Sequence, residues 1–204
     1  TSSIEMIDEM GDFIGFASDV KLIYSGEFTI KVAKTEENVT DNYLSSDDVI
    51  NVYISGIDSR GGINEVSRSD VNIIMSINKK THNILMINTP RDYYVPLSIS
   101  NGVRDKLTHA GVYGIECSRN TLEMLYGIQI DYYVKVNFSG FEKIIDSLGG
   151  VDVTLDYSAT LSQAGNLTVH NGVNHFNGEQ ALAFARERYA YSDGDRQRGR
   201  NQMM

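Results

Sequence analysis

Five segments of this sequence have the composition of buried β-strands, and they constrain the fold more than any other feature. Val49–Gly56, Val71–Ile77, Ile84–Thr89, Ile130–Val136 and Val151–Tyr157 are rich in Val, Ile and Tyr, which favour strands. Several carry apolar residues at consecutive positions, so both faces of the sheet are expected to be covered. We therefore predict an α/β (α+β) fold with a central mixed β-sheet covered by helices on both faces.

Turn and cap residues between these segments locate the helices. Lys106–Gly127 favours a helix that is interrupted near Gly111 or Gly114. Ser139–Glu142 and Asn177–Gln180 both have the spacing of a capping box, in which two side chains satisfy backbone N–H groups at a helix start. Each capping box predicts a helix in the C-terminal part of the chain.

The N-terminal quarter differs from the rest in charge. Residues 1–48 contain 11 acidic and 3 basic residues, whereas the whole chain has 27 acidic and 18 basic residues and a net charge of -9. We interpret residues 1–48 as the C-terminal part of an accessory domain with a linker, and residues 49–204 as the main domain. Within the first segment, the apolar spacing predicts an amphipathic helix over Ile4–Ala17 and a hairpin over Val20–Ala33.

The charge and the motifs exclude several classes of function. The acidic balance disfavours binding to nucleic acid and to anionic lipid surfaces. The sequence has no Walker phosphate loop, no glycine-rich dinucleotide loop and no nucleophile elbow, so nucleotide-dependent chemistry and serine hydrolysis have no support. No segment approaches the roughly 20 apolar residues of a membrane span.

Arginine is concentrated near the C-terminus, where lysine is absent. The last 19 residues contain five arginines: Arg186, Arg188, Arg196, Arg198 and Arg200. Arginine binds phosphate and carboxylate in a planar, bidentate manner that lysine cannot reproduce. An anion site is one interpretation, and surface salt bridges to Glu187 and Asp193 are the other.

The spacing of these residues predicts their local structure. Arg186 and Arg188 share a face only on an extended segment, so we predict that a helix ends near Ala185 and a strand covers Arg186–Tyr189. Asp195, Arg198 and Gln202 have the spacing of one stripe on a helix. An anion bound there would meet arginines from two elements.

Two aspartates and one arginine lie at predicted strand ends. Asp58 ends one strand and Asp70 begins the next, beside the glycine-rich segment Arg60–Gly62. Carboxylate oxygens at such a position suit Mg²⁺, although aspartates in loops also serve simply as turn residues. Arg91 follows Pro90 directly after a strand, where ligands often bind, so it is a further candidate for the anion site.

Taken together, a set of short motifs in a fixed order resembles the LytR-CpsA-Psr family, and especially its capsule-associated members from Gram-positive bacteria. The matching segments are Ser55–Arg60, Arg68–Asp70, Asn88–Asp92, Asp105–Leu107, Asp131–Val134, Leu148–Val153, Asn177–Ala183, Ala185–Arg188 and Gly194–Asp195, followed by Arg198 and Gln202. They extend over about three quarters of the chain. The family pattern leads us to expect further helix and strand beyond Met204.

The resemblance implies a membrane-anchored phosphotransferase on the extracellular face of the cell membrane. Such an enzyme moves a glycopolymer, here expected to be capsular polysaccharide, from a polyprenyl-pyrophosphate carrier onto peptidoglycan with the assistance of Mg²⁺. The lipid would lie in a hydrophobic tunnel, and the membrane anchor would be in segments absent from this chain. The implied partners are the polyprenyl (pyro)phosphate lipid, the glycopolymer donor and the peptidoglycan acceptor, without nucleic acid.

By matching position, the resemblance also implies roles for individual residues. Asp58 and Asp70 would bind the metal, and Arg91 and Asp195 would be catalytic. Either Asp195 or an activated water would act as general base. The pyrophosphate would be bound by Arg68, Arg91, Lys106, Arg186, Arg188, Arg198 and Gln202. Two alternatives stay open: a non-enzymatic regulator of capsule assembly that binds polyprenyl phosphate, and a polyprenyl pyrophosphatase.

Overall fold

The computed structural model describes residues 4–7, 13–17, 31–34, 47–59, 66–162, 166–192 and 194–204. These residues divide into two compact units. The described residues up to Asn137 form the first, which we call the sheet unit, and the residues from Phe138 onward form the second, the C-terminal unit.

A five-stranded mixed sheet organises the sheet unit. Its strands, in spatial order, are β3 (Lys31–Lys34), β9 (Tyr132–Val136), β4 (Val49–Ile57), β5 (Ser69–Asn78) and β6 (Ile84–Asn88). β4 and β9 are parallel, and the other neighbours are antiparallel. The prediction of an α+β fold with a central mixed sheet is therefore confirmed. The domain boundary at residue 48 stays a prediction, although β3 lies before it and is part of this sheet.

Two helices pack on this sheet in the sheet unit. They are α1 (Leu107–Ala110) and α2 (Ile115–Tyr126), joined by a 3-10 helix over Gly111–Tyr113. The predicted interruption of the helix is thus confirmed. The buried core joins both elements: Tyr53 and Ile74 of the sheet cluster with Leu107 and Leu122 of the helices. A small antiparallel ladder of β7 (Tyr94–Pro96) and β8 (Arg104–Lys106) precedes α1.

The described residues of the C-terminal unit form antiparallel ribbons and three α-helices. In chain order it contains α3 (Phe138–Ser147), β10 (Val151–Leu155), β11 (Ala159–Leu161), β12 (Leu167–Val169), β13 (Gly172–Phe176), α4 (Gly178–Arg186) and α5 (Asp195–Asn201). β10 pairs with β13, and β11 pairs with β12. Val153, Leu155, Phe176 and Phe184 form much of the core, with the two Phe rings 5.3 Å apart.

The capping box at the start of α4 is confirmed, but the one at Ser139 is wrong. The Asn177 side chain accepts the Gln180 N–H, and the Gln180 side chain accepts the Asn177 N–H. α3 instead begins at Phe138, so Ser139 already lies inside the helix. Sequence spacing alone does not show whether a serine caps a helix or lies in its first turn. In either case Ser139 lies three residues before Glu142.

The predicted N-terminal helix is wrong. β1 (Ile4–Ile7) and β2 (Phe13–Ala17) form an antiparallel pair instead. The Phe-Ile-Gly-Phe composition of β2 accounts for the difference, since aromatic and β-branched residues favour strands and an interior glycine destabilises a helix. Most residues of the predicted hairpin Val20–Ala33 lie outside the described part of the chain.

Candidate active site

A β-bulge at the start of β5 sets the direction of the Asp70 side chain. The register pairs Gly56 with Val71 and Ile57 with Ser69, so Asp70 opposes no residue in the described register of β4 and β5. An extra residue of this kind bends its strand and redirects its side chain, and bulges are frequent beside functional sites. The bulge thus separates Asp70 from the regular alternation of the strand.

The Asp70 carboxylate has partners from two other segments. Thr108 of α1 donates its hydroxyl to one oxygen at 3.1 Å, and Arg91 Nη1 lies 3.1 Å from the other. Asp58 follows the last residue of β4 and is exposed. The two predicted metal ligands therefore lie at the same end of the β4–β5 pair.

These two carboxylates fit the donor chemistry of Mg²⁺. Magnesium is usually held by one or two carboxylates, with water and substrate phosphate as the remaining ligands. Each Asp70 oxygen has lone pairs beyond its contact with Thr108 or Arg91. Within the part of the chain that the structure describes, no group of three or more His, Cys, Asp or Glu side chains is arranged to hold a metal ion. A magnesium ion here would thus complete its ligands with water or, when it is bound, with substrate phosphate, and its presence stays a prediction.

Arg91 lies in a tight turn that follows β6. The Tyr93 N–H donates to the Pro90 carbonyl at 3.0 Å, which closes the turn around Arg91 and Asp92. The Arg91 Nε atom is buried 3.5 Å from an Asp92 oxygen and makes no hydrogen bond to the described residues. The guanidinium is therefore held between two carboxylates and retains a donor that is not hydrogen-bonded.

Lys106 extends this arrangement by one more charge. Its pairing with Tyr94 in the β7–β8 ladder fixes its backbone, and its Nζ donates to Asp92 Oδ1 at 2.7 Å. The hydrogen bond from Lys106 holds the pKa of Asp92 below its ordinary value. Burial raises this pKa, and the charges of Lys106 and Arg91 lower it by smaller amounts. Asp70, Arg91, Asp92 and Lys106 thus form a continuous line of alternating charges, which we call the charge line.

The 3-10 helix that follows α1 packs directly on the start of β5. A Cβ atom added to Gly111 would lie 2.5 Å from the Ser69 backbone nitrogen, so only glycine permits this approach. The contact restrains the backbone that carries Asp70 and the exposed Arg68. Arg68 therefore lies at the same end of the sheet as the charge line.

The C-terminal unit holds the other predicted arginines on and after α4. Arg186 is the last residue of α4, and its guanidinium lies 4.4 Å from the centre of the Phe138 ring. Arg188 lies 4.7 Å from the centre of the Tyr189 ring and donates to the Tyr189 hydroxyl at 2.6 Å. Stacking on an aromatic face orients a guanidinium while its N–H groups remain in the plane parallel to the ring.

The predicted strand over Arg186–Tyr189 is wrong, and Glu187 accounts for the difference. This side chain is fully buried. Its Oε1 atom accepts the backbone N–H groups of Arg188 at 2.9 Å, Tyr189 at 2.7 Å and Ala190 at 3.2 Å. Three successive amides that converge on one carboxylate form a turn and cannot join a β-ladder.

Sequence reasoning missed this role of Glu187, which it treated only as a surface salt-bridge partner. The residue is the C-cap of α4, and Ser162 donates its hydroxyl to the second carboxylate oxygen at 3.2 Å. An acidic residue is electrostatically unfavourable at a helix C-terminus. That mismatch was the available signal that Glu187 has a specific partner.

The predicted stripe of Asp195, Arg198 and Gln202 falls on α5 and its C-cap. The Asp195 side chain lies outside the described residues. Gln202 donates its amide to the Ala185 carbonyl at 3.2 Å, and Asn201 makes the equivalent bond to the carbonyl one residue earlier. Both bonds go to carbonyl groups in the last turn of α4, and the Phe184 carbonyl also accepts the Glu187 N–H at 3.3 Å. They fix α5 against the segment that bears Arg186.

The structure therefore brings the predicted residues together in two groups. The group of the sheet unit consists of Asp58, Arg68, Asp70, Arg91 and Lys106. The group of the C-terminal unit consists of Arg186, Arg188, Arg198 and Gln202, on α4, on α5 and on the segment that joins them.

Comparison with known proteins identifies the family. Residues 21–204 match the model of the LytR_cpsA_psr family, and the chain belongs to it. It is similar to two proteins named polyisoprenyl-teichoic acid–peptidoglycan teichoic acid transferase. TagT of Bacillus subtilis is 34% identical over 190 residues, which cover 88% of this chain and 58% of TagT. TagU of Bacillus cereus is 32% identical over 182 residues, which cover 86% of this chain and 57% of TagU.

Solved structures of the same family agree with the fold. The crystal structure of B. subtilis TagT superimposes with a TM-score of 0.69 at 34% identity, and the match covers 84% of this chain and 68% of that one. The family protein YwtF (TagT) with bound octaprenyl pyrophosphate lipid gives 0.67 at 32% identity, with coverages of 83% and 67%. This chain thus spans less than three fifths of the first two relatives, at 57% and 58%. Its described helices lack the length and hydrophobicity of a membrane span.

Proposed function

We propose that this chain supplies the catalytic domain of a phosphotransferase that moves a glycopolymer from a polyprenyl-pyrophosphate carrier onto peptidoglycan. The charge line carries this proposal, because it fixes Arg91 and Lys106 beside a carboxylate pair that suits Mg²⁺. A pyrophosphate needs such a set of cations. The names of the related teichoic acid transferases, and the octaprenyl pyrophosphate bound to one of them, support the same class of reaction.

The proposed transfer exchanges a phosphoanhydride bond for a phosphoester bond. A peptidoglycan hydroxyl oxygen forms a bond to the phosphorus that carries the glycopolymer. The bond from that phosphorus to the bridging oxygen breaks, and polyprenyl phosphate leaves. The hydroxyl proton passes to Asp195 or to an activated water. Negative charge spreads over the phosphoryl oxygens in the transition state, where positioned cations stabilise it.

Each predicted site residue has a proposed role in this transfer. Arg91 stabilises the transferring phosphoryl group, and its two flanking carboxylates, Asp70 and Asp92, hold it in place. Asp58 and Asp70 would hold Mg²⁺, which would supply positive charge to neutralise the pyrophosphate. In the sheet unit, Arg68 and Lys106 are proposed as further pyrophosphate contacts. Within the C-terminal unit, the proposed anion-binding residues are Arg186, Arg188, Arg198 and Gln202.

For the cargo we propose capsular polysaccharide, because the motifs resemble the capsule-associated members of the family most. Since the reaction moves a polymer from a membrane lipid to the cell wall, the domain would act on the outer face of the cell membrane. Parallel reactions with a lipid-linked capsular polymer and a lipid-linked teichoic acid test this choice. Faster transfer of the teichoic acid would assign the cargo of the two named relatives instead.

The central test measures transfer of a lipid-linked glycan to peptidoglycan by the purified protein, with and without Mg²⁺. Charge-assisted hydrogen bonds contribute about 1.5–3 kcal/mol each, so Arg91→Ala should lower kcat/KM by about 10- to 150-fold. Arg104→Ala is a matched control, since Arg104 is an exposed arginine on β8 of the same unit. It should leave kcat/KM unchanged.

Each other outcome points to a different function. Lipid binding without turnover, in the presence of acceptor, would indicate the regulatory protein. Cleavage of the pyrophosphate without a peptidoglycan product would indicate a pyrophosphatase. Absence of lipid binding would show that the charge line is purely structural.

A further inference from the structure

A cluster of buried polar side chains lies beside the Asp70 bulge. It consists of Tyr53, Ser55, Ser69 and Asn72, each at most 1% exposed. The Tyr53 hydroxyl donates to Asn72 Oδ1 at 2.7 Å and lies 3.0 Å from the Ser69 hydroxyl, which is 2.8 Å from that of Ser55. Buried polar groups destabilise a fold unless they are hydrogen-bonded. Their concentration at one end of the β4–β5 pair therefore requires an explanation.

Two members of this polar cluster bind the backbone on either side of Asp70. The Asn72 amide donates to the Ser69 carbonyl at 3.2 Å, which precedes Asp70. The Ser69 hydroxyl has one proton to donate, and it lies 3.2 Å from the Val71 carbonyl and 2.8 Å from Asn72 Oδ1. These side chains supply contacts at the point where the bulge interrupts the ladder.

Burial also favours the neutral form of Tyr53, the titratable side chain of the polar cluster. Desolvation raises the pKa of Tyr53 above its ordinary value, although hydrogen bonds with Ser55 and Ser69 oppose the shift. A neutral phenol donates one directional hydrogen bond, here to Asn72. The polar cluster therefore acts by fixing geometry, and the charge of the site resides in Asp70 and the charge line.

We propose that Ser69 and Asn72, supported by Tyr53 and Ser55, are positioning residues for Asp70. They fix the bulge so that the Asp70 carboxylate faces Arg91 and is ready to receive Mg²⁺. This inference rests on the proposed function, because it assigns the ion to Asp70. Side chains that orient a metal ligand typically change metal affinity or activity by about 10- to 100-fold when they are replaced.

The test compares Ser69→Ala with Ser76→Ala, a matched control on the same strand. Ser76 donates its hydroxyl to the buried Asn51 side chain at 2.5 Å. It lies seven residues from Ser69, roughly 23 Å away along a strand. Both variants therefore remove one serine hydroxyl that bonds a buried asparagine. Tyr53→Phe, which keeps the ring in the core, is the second variant if Ser69→Ala folds poorly.

The first measurement is the affinity for MnCl₂ alone, by electron paramagnetic resonance of the protein without lipid. Ser69→Ala or Tyr53→Phe should weaken binding by about 10- to 100-fold, and Ser76→Ala by less than about twofold. The second is the Mg²⁺ concentration for half-maximal transfer, which should rise in the same variants while kcat at saturating Mg²⁺ is retained. A purely structural role would change the two serine variants alike.

The outcomes separate this inference from the proposed function. Ion affinities that are equal in Ser69→Ala and Ser76→Ala would overturn the positioning role, while Mg²⁺-dependent transfer by the wild type would leave the proposed function intact. Lower thermal stability without a change in ion affinity would also overturn it. Absence of Mn²⁺ binding by the wild type would overturn the magnesium assignment and this inference together.

Discussion

Replacing Glu187 with alanine is expected to weaken the C-terminal unit and to displace the arginines on either side of it. The side chain is fully buried, and its short hydrogen bonds to the Arg188 and Tyr189 N–H groups measure 2.9 and 2.7 Å. Alanine would leave these donors without their partner. The turn between the end of α4 and Arg188 would then lose the carboxylate that its backbone N–H groups share.

The magnitude follows from the number and kind of these bonds. Hydrogen bonds to a charged group contribute about 1.5–3 kcal/mol each, so two of them contribute about 3–6 kcal/mol. Water can reach part of the turn, because Tyr189 is 65% exposed. We therefore expect the free energy of unfolding to fall by about 3 kcal/mol, at the lower end of that range. Glu187→Gln keeps an acceptor oxygen and should lose about half as much, since charge-assisted bonds are roughly twice as strong as neutral ones.

Urea unfolding followed by circular dichroism measures the loss. Glu179→Ala is the matched control, because Glu179 is an exposed glutamate in the first turn of the same helix. Its interaction with the helix dipole is worth at most about 1 kcal/mol. Calorimetry with inorganic pyrophosphate should in addition show weaker binding by Glu187→Ala than by Glu179→Ala. If the two alanine variants lose the same stability, the reasoning from the buried carboxylate is refuted.

Two further predictions concern the sheet unit. Lys106→Met removes the hydrogen bond that lowers the pKa of Asp92. Carbon-detected NMR titration should therefore show this pKa rising toward its ordinary value. An unchanged pKa would contradict the assignment of the hydrogen bond as the cause. In the wild type, the stabilisation from this pair is present above the ordinary carboxyl pKa and is lost as the pH falls through the lowered value. Gly111→Ala brings a Cβ atom to 2.5 Å from the Ser69 nitrogen, so the unfolding free energy should fall by about 1–3 kcal/mol. The exposed Val112→Ala should change it by about 0.5 kcal/mol or less, and equal losses would show that the close approach relaxes.

The strands of the sheet could be predicted because local composition and tertiary environment agree there. Val49–Gly56, Val71–Ile77 and Ile84–Thr89 differ from the observed β4, β5 and β6 by at most two residues at an end. The turn between the last two was also predictable, since Asn78 Oδ1 accepts the N–H groups of Lys80 and Thr81. Such turn chemistry involves residues that are close in sequence.

The errors arose where distant or unrecognised partners decide the structure. The spacing of Arg186 and Arg188 was compatible with a strand, but the buried Glu187 bonds the amides that a strand would need. The apolar spacing of Ile4–Ala17 was compatible with a helix, but the segment pairs with itself as β1 and β2. In both segments more than one structure satisfied the local pattern.

The candidate site was likewise predictable only in part. Residue types and motif order led us to predict Asp70, Arg91 and Lys106, because phosphate and metal chemistry restrict the choice of side chain, and the structure places these three residues near one another. The polar cluster could not be identified in this way. Tyr53 and Asn72 are separated by 19 positions, and their contact depends on the register of β4 and β5 and on the location of the bulge.

The order of strands in the sheet determines where the chain tolerates changes of length. The parallel neighbours β4 and β9 meet across a separation of 80 residues, as the bond between Asn51 and Asp131 illustrates. The entropy of closing a flexible loop grows only with the logarithm of its length, so doubling one surface loop within this crossover would cost about 0.6 kcal/mol. The turn from Asn78 to Asn83 has no such freedom, because it sets the register of β5 and β6. One added residue there would favour a slip that exchanges the buried and exposed faces of a strand, so insertions belong in surface loops of the crossover other than this turn.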